Sequence, residues 1–246
     1  KKLGNFLEKN KEHAYFHKGQ KVSDRIIFAK NSAQLLADCD ILILAVASNA
    51  VRVVLKNIKQ YIKEKIIIVN TAKALDWVSG QRLSEIAAEE LKGKNYNYAL
   101  LSGGTIAKDL FNHEPLGVSI ACGNKKILKD LAWLFRSNNL FIYPTTDLTG
   151  AEYASAFKNA ISILAGVTKG LGFTYGAETH IISRAAAEVE DLVVKKLGGQ
   201  KETFAMGSQC WGNDLWMSCT GDTRNREFGI LVGQGVDVKI ALKNMK

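Results

Sequence analysis

The chain is 246 residues long, 47% hydrophobic and 23% charged, a globular composition with enough apolar residues for one large domain or two modest ones. Its longest apolar runs, 41–47 and 65–72, are shorter than the roughly 18–20 residues of a membrane span, and no charged-then-apolar leader opens it; the expectation is a cytoplasmic protein without membrane insertion. The net charge of +9 is heaviest in the first thirty residues, where eight Lys or Arg face three acids, but no aromatic-interleaved basic stripe accompanies it, so a solvated surface with attraction for small anions is expected and a nucleic-acid partner is not.

The chain begins at Lys1 in a polar, helix-like segment, residues 4–16, and reads as a piece of something longer. Short β-branched runs follow at 25–29, 41–46, 66–70, 98–103, 116–122 and 140–144, alternating with amphipathic stretches such as 79–93. In that stretch Leu83, Ile86, Ala87 and Leu91 share a face, Ser79 is a candidate N-cap and Gly93 a candidate stop. Strands alternating with helices predict a parallel sheet with crossovers, and four continuous apolar runs predict strands covered on both faces. After Pro144 the patterns turn helical, over 150–168, 178–198, 203–218 and 224–245. The predicted architecture is α/β: an incomplete Rossmann-like parallel-sheet domain, residues 1–145, then an all-helical domain, residues 146–246.

Cys39, Cys122, Cys210 and Cys219 lack CxxC spacing, so neither a disulfide framework nor a zinc site is indicated, and the thiols are expected to be reduced. His13 and His17 stand at i, i+4, yet no neighbouring Cys, Asp or Glu pattern completes a metal site.

Three stretches can carry chemistry. The first is 152–166, EYASAFKNAISILAG, where Lys158 shares a helix face with Ala151, Ala154, Ser155, Ile161, Ser162 and Ala165. An ammonium there must be paired, snorkel out, or lower its pKa from about 10.4; a structural salt bridge and an acid/base lysine both satisfy the pattern. The second is 213–229, NDLWMSCTGDTRNREFG. Gly221, Asp222 and Thr223 can end one helix and cap the next, placing Arg224 and Asn225 in a first turn where N–H groups and a guanidinium can hold a phosphate; a plain solvated helix start is the alternative. The third pairs 69–76, VNTAKALD, with 100–110, LLSGGTIAKDL. Both lie at the carboxyl ends of predicted strands, where open α/β sheets place ligands, so Lys73 and the Gly103-Gly104-Thr105 turn would line one crevice.

In this order, together with LILAVASNAVRVVL and LVGQG, the stretches resemble the NAD(P)-dependent glycerol-3-phosphate dehydrogenases over nearly the whole chain. The resemblance implies an oxidoreductase of glycerophospholipid precursor synthesis and carbohydrate metabolism that interconverts sn-glycerol 3-phosphate and dihydroxyacetone phosphate. It implies a small phosphorylated three-carbon substrate, NAD or NADP as cofactor, and a homodimer when full length. By the same resemblance Lys158 is the catalytic acid/base and Lys73 the second lysine at the substrate, also near the cofactor. Gly103, Thr105, Asn159, Asp214, Thr223, Arg224 and Asn225 bind substrate, with Arg224 and Ala107 reaching the cofactor. A β-hydroxyacid or 6-phosphogluconate-type dehydrogenase shares the plan and a lysine, but the Arg224-Asn225-Arg226 segment argues against it. A non-catalytic phosphometabolite-binding module is the reading from a different class.

The sequence departs from the family pattern in several places. The strand, GxGxxG turn and helix that cradle a cofactor pyrophosphate are not among these 246 residues, nor are the family's final helices, so the chain is expected to be an internal fragment that is inactive by itself. Gly104 and Ala47 stand where proline is usual, Ala74 replaces glycine and Ser218 threonine. The segment 207–215 is longer than its Gly-rich equivalent, and Trp211 and Asn213 are expected to intrude beside Asp214.

Overall fold

A computed structural model describes residues 2–16, 18–63 and 65–245. In chain order its elements are α1 (Lys2–Asn10), α2 (Ser32–Leu36), β1 (Ile41–Leu44), α3 (Val51–Ile58), β2 (Ile66–Asn70), α4 (Leu83–Glu90), β3 (Tyr96–Ser102), α5 (Ala107–Phe111), β4 (Leu116–Ala121), α6 (Lys125–Phe135) and β5 (Leu140–Thr145). The helical half follows: α7 (Leu148–Gly170), α8 (Tyr175–Leu192), α9 (Asp214–Thr220), α10 (Arg224–Gly233) and α11 (Val238–Asn244). His17 lies outside the described residues; His13 uses Nδ1 to accept from the N–H groups of Tyr15 and Phe16.

The five strands lie side by side in chain order. β1, β2 and β3 are parallel, as are β4 and β5, but β4 runs antiparallel to β3, a departure from the all-parallel expectation. The link from β3 to β4 carries only the five-residue helix α5, shorter than the helices α3, α4 and α6 that cross over between the parallel pairs. The run at 25–29 forms no strand. Its Ile26 and Ile27 side chains are exposed, and the sheet's outer member on that side is β1. Only the inner strands are covered on both faces as expected. The edge strands β1 and β5 leave Ile43, Phe141 and Tyr143 about half exposed, because helices cover only one of their faces.

Helix boundaries also shift. α4 starts at Leu83, not near Ser79: Arg82 is the N-cap residue, its N–H bonded to the Glu85 carboxylate at 2.9 Å. Ser79 instead donates its N–H and hydroxyl to Asp76. Gly93, at φ +86°, turns the chain after that helix. α1 stops at Asn10, and Lys11 takes a positive φ. The stretch 203–218 is no single helix but a tight 3-10 turn at 201–204 and a wide π-helical turn at 209–213 that leads into α9. The stretch 224–245 is broken at Gly235, φ +86°.

α7 is the central element. Leu148 and Ala151 pack with Leu100, Ala121 and Cys210 against the sheet. Ala154, Ile161 and Ala165 pack with Val193, Phe204, Trp211 and Leu215 in the helical core. A polar clamp joins α7 to α4: the buried Glu152 carboxylate accepts from the Ser84 N–H at 2.8 Å, the Ser84 hydroxyl at 2.5 Å and Arg82 at 3.3 Å. Among the described residues no helix is long and apolar enough to cross a membrane.

Candidate active site

β2 and β3 end at Asn70 and Ser102, and the turns beyond them open toward α7. Asn70, fully buried, holds both the N–H and the carbonyl of Ala72 at 3.1 Å. That closed turn delivers Lys73 to the site. Its ammonium donates to the Gly103 carbonyl at 2.5 Å and to Asp214 Oδ2 at 2.8 Å. Gly103 is where it is because a Cβ would fall 2.7 Å from the Gly117 carbonyl oxygen and 2.8 Å from Val118 Cα, so only glycine lets the turn lie this close to β4.

Lys158 sits mid-helix on the buried face of α7, 6% exposed. It does not snorkel. Its Nζ donates to Asp214 Oδ1 at 2.9 Å and to the Ser218 hydroxyl at 2.7 Å. Burial lowers its pKa below that of an ordinary lysine; the attraction of Asp214 opposes this, and the nearby Lys73 charge adds to the lowering. Asp214 is fully buried and spends one oxygen on each lysine. The same burial pushes the neighbouring Cys219 thiol up to about 12, so that thiol stays protonated.

The next residue, Asn159, donates to the Lys73 carbonyl at 3.3 Å and accepts from Asn225 Nδ2 at 2.9 Å. Thr223 caps α10, its hydroxyl oxygen accepting the Arg226 N–H at 3.5 Å and its proton going to the Ser218 carbonyl at 2.9 Å. Arg224 and Asn225 therefore occupy the first turn of α10, as the TGDT pattern predicts. α10 is pinned there because it crosses α7 backbone to backbone at Gly166, Gly170, Gly229 and Gly233.

These elements enclose an open cleft of 490 Å³. Lys158, Asn159, Ser218, Thr223, Arg224 and Asn225 form its polar side, and apolar side chains such as Ile163, Met217 and Phe228 form the rest. Among the described residues no carboxylate lines it. Lys73, Gly103 and Asp214 lie behind this floor, coupled to it through Lys158 and Asn159. Thr105, its N–H on the Gly103 carbonyl at 2.9 Å, and the exposed Ala107 continue the turn and are not among the cleft residues. Trp211 does not intrude: it is buried edge-on against Phe204 with ring centroids 5.0 Å apart. Asn213 donates to Gln209 at 2.9 Å and packs against Gly104, where any larger residue would press on it. Sequence reading missed Ser155 as a contact of Ser102 and Ser162 as a donor to the Ser218 carbonyl at 2.6 Å. A small polar residue facing inward on a buried helix is the only local signal for either.

A mixed, mostly parallel sheet whose strand ends meet a lysine-bearing helical half defines a two-part dehydrogenase of the dinucleotide-dependent class. The chain belongs to the NAD-dependent glycerol-3-phosphate dehydrogenase family: the family's N-terminal region matches residues 1–128 and its C-terminal region residues 147–246. It is 34% identical over 224 residues to glycerol-3-phosphate dehydrogenase [NAD(P)+] of Maridesulfovibrio salexigens, covering 91% of this chain and 67% of that protein. It is 35% identical over 239 residues to the enzyme of that name from Aliivibrio fischeri, covering 96% and 68%. The crystal structure of glycerol-3-phosphate dehydrogenase from Coxiella burnetii superposes with a TM-score of 0.88 at 26% identity, over 99% of this chain and 74% of that one.

The residues present fit the reacting end of a nicotinamide dinucleotide. The cleft is lined by no carboxylate among the described residues, holds the Lys158 ammonium at its base, and presents the exposed Arg224 guanidinium at the start of α10. They do not fit its pyrophosphate in the usual way, since no GxGxxG run occurs in these 246 residues.

Proposed function

We propose that this site interconverts sn-glycerol 3-phosphate and dihydroxyacetone phosphate as part of an NAD(P)-dependent oxidoreductase. The observation that carries the reading is a cleft lined by no carboxylate among the described residues, with Lys158 at its base, its ammonium held by an Asp214 carboxylate that also holds Lys73. A dianionic phosphate needs fixed cations and donors, and Arg224, Asn225 and the capped start of α10 supply them. With the phosphate there, the polar floor leaves the substrate's C2 oxygen facing Lys158.

Lys158 donates a proton to that oxygen as C2 becomes tetrahedral, and takes it back in the reverse direction. Its lowered pKa makes the ammonium a better acid than an ordinary lysine. Lys73 adds a second positive charge beside the developing alkoxide. Asp214 keeps both ammoniums in place, and Asn159 ties the Lys73 backbone to α10 through Asn225. NAD or NADP, when bound, supplies or accepts the hydride at C2; Arg224, Lys73 and Ala107 are the residues of this chain assigned to it.

The same reading carries a cytoplasmic location and a homodimer without a nucleic-acid partner, which rest on the family resemblance and charge pattern. The test is oxidation of NADH or NADPH by the native gene product on addition of dihydroxyacetone phosphate. Activity with a 2- or 3-hydroxy acid lacking a phosphate, and none with the phosphorylated ketone, would replace this substrate assignment.

A further inference from the structure

Ser102 is the last residue of β3, directly before the Gly103 carbonyl that receives the Lys73 ammonium. Ser155 lies one turn before Lys158 on the same buried face of α7. Their hydroxyl oxygens are 2.7 Å apart, and both residues are at most 2% exposed. Ser155 Oγ also donates to the Ala151 carbonyl at 2.7 Å. Its single proton is thus committed, so Ser102 is the donor to Ser155. The Ser155 carbonyl in turn accepts Asn159 Nδ2 at 3.3 Å, and Asn159 accepts from Asn225. One run of hydrogen bonds therefore passes from β3 through α7 to α10.

The residues packed around the Ser102–Ser155 bond, Leu100, Ala121, Ala151 and Leu148, are apolar, and the other polar ties of α7 to this half run to α4 and to the Lys73 carbonyl, not to β3 or β4. Apolar contact is non-directional and fixes no register, whereas a hydroxyl–hydroxyl bond weakens outside a narrow range of distance and angle. Asp214 can serve both lysines, at 2.8 and 2.9 Å, only while the two ammoniums keep their spacing.

We propose that Ser155 is a positioning residue for proton transfer: the hydrogen bond it accepts from Ser102 sets the spacing between the β3 turn that holds Lys73 and the turn of α7 that carries Lys158. This rests on the reading of Lys158 as the acid/base group. The charged and titratable groups facing Lys158 are Asp214 and Cys219 from α9 and Lys73 from the turn after β2, with Arg224 across the cleft and the Arg226–Glu178 pair beyond Cys219. Of these, Lys73 is the one whose distance the Ser102–Ser155 bond controls, since α9 is held to α7 directly by Ser162 and Lys158.

The test is a pH titration of the Lys158 side chain by NMR in the chain labelled with ¹³C at lysine Cε, assigned with Lys158→Met, in the parent, Ser155→Ala and Ser102→Ala. Both serine variants are expected to raise the Lys158 midpoint, by about half a unit, because the Lys73 charge, which lowers it, is then held less closely. Ser102→Ala leaves Ser155 bonded to Ala151, so an effect common to both variants reports the inter-element bond and not an orphaned hydroxyl. In the native gene product each is expected to lower kcat for dihydroxyacetone phosphate about tenfold with KM changed less than twofold, and Ser155→Thr, which keeps the hydroxyl, to recover most of it. If Ser155→Ala does not fold, Ser102→Ala, which leaves α7 untouched, decides alone. A folded variant with the parent's Lys158 midpoint overturns the proposal. A parent that does not reduce dihydroxyacetone phosphate overturns the substrate reading instead, and the titration still decides this one.

Discussion

Gly166 of α7 and Gly229 of α10 lie back to back, so close that a Cβ added at residue 166 would sit 2.8 Å from Gly229 Cα and one added at 229 would sit 2.9 Å from Gly166 Cα. Gly170 and Gly233 repeat the contact one turn further on. This crossing fixes the start of α10 over Lys158, so backbone packing well away from the chemistry sets where Arg224 and Asn225 stand. Gly229→Ala forces the two helices apart. Such overpacking costs about 2 kcal/mol, which for a chain of this size lowers Tm by roughly 4–8 °C. Thermal denaturation followed by circular dichroism checks it, and an unchanged Tm would mean that the helices slide apart freely and do not pin the site.

Lys158→Met keeps the volume and helix preference of the residue and removes its proton. The expected result is a native gene product that folds but reduces dihydroxyacetone phosphate at least about 10²-fold more slowly. Asp214 retains Lys73 as a partner, so the buried carboxylate is not left without a counter-ion and gross unfolding is not expected. Steady-state rates with matched spectra decide it; normal turnover in the Met variant removes Lys158 from the reaction.

The pH dependence follows from the sign of the shift. Burial places the Lys158 midpoint below the ordinary lysine value, about 10.4. Ketone reduction needs the ammonium, so its kcat/KM falls as pH rises through that midpoint; alcohol oxidation needs the free amine and rises through it. Between the lowered midpoint and about 10.4 the unfolded chain binds the extra proton, so this residue's contribution makes stability rise with pH across that window. Asp214→Asn removes the attraction that opposes the lowering and is expected to move the reduction profile to lower pH. A profile that stays put would show that Asp214 holds the lysines sterically and not by charge.

Much of this was legible locally. Lys158 in a small-residue helix, the TGDT cap before Arg224, and Lys73 and Gly103 after their strands are each contained in a few consecutive residues, and the structure gathers them at one end of the sheet. What was not legible depends on distance in the chain. The double use of Asp214 joins residues 56 and 141 positions apart. The Ser102–Ser155 bond spans 53 positions, and no short pattern encodes either. β4 reads as one more strand because its residues are apolar in any direction; the length of α5, not the strand itself, reverses it. Trp211 stands next to the site in sequence yet turns away into the core with Phe204, because its position on the π-helical turn at 209–213 decides which way an aromatic residue faces.

Arg224→Lys keeps the charge and loses the fork. A point ammonium cannot make the two parallel hydrogen bonds of a guanidinium to a phosphate, so KM for dihydroxyacetone phosphate should rise about tenfold, with kcat changed less. The side chain is exposed at the cleft, so folding is unaffected. If KM stays at the parent value, the phosphate lies elsewhere and Arg224 is an ordinary surface cation.

The 246-residue chain taken by itself should bind NADH and NADPH weakly. A dinucleotide pyrophosphate is held by a glycine turn between a strand and a helix N-terminus, and no GxGxxG run occurs in these residues. β1 is followed at 45–50 by AVASNA, without glycine, and β2 by the turn that delivers Lys73. β3 is followed by the Gly103-Gly104 pair, where Gly103 is pressed against β4 and Gly104 against Asn213; neither has room for a phosphate. What remains for the cofactor is its reacting end, over Lys158 and Arg224. The outer edge of β1 is also unpaired among the described residues, which should favour self-association at high concentration. Calorimetric titration of the chain with each reduced cofactor is the direct measurement, with sedimentation as a check on association. Dissociation constants well above the micromolar range are expected for both, and a low-micromolar value for either would mean that the pyrophosphate is held by a turn other than the glycine-rich kind.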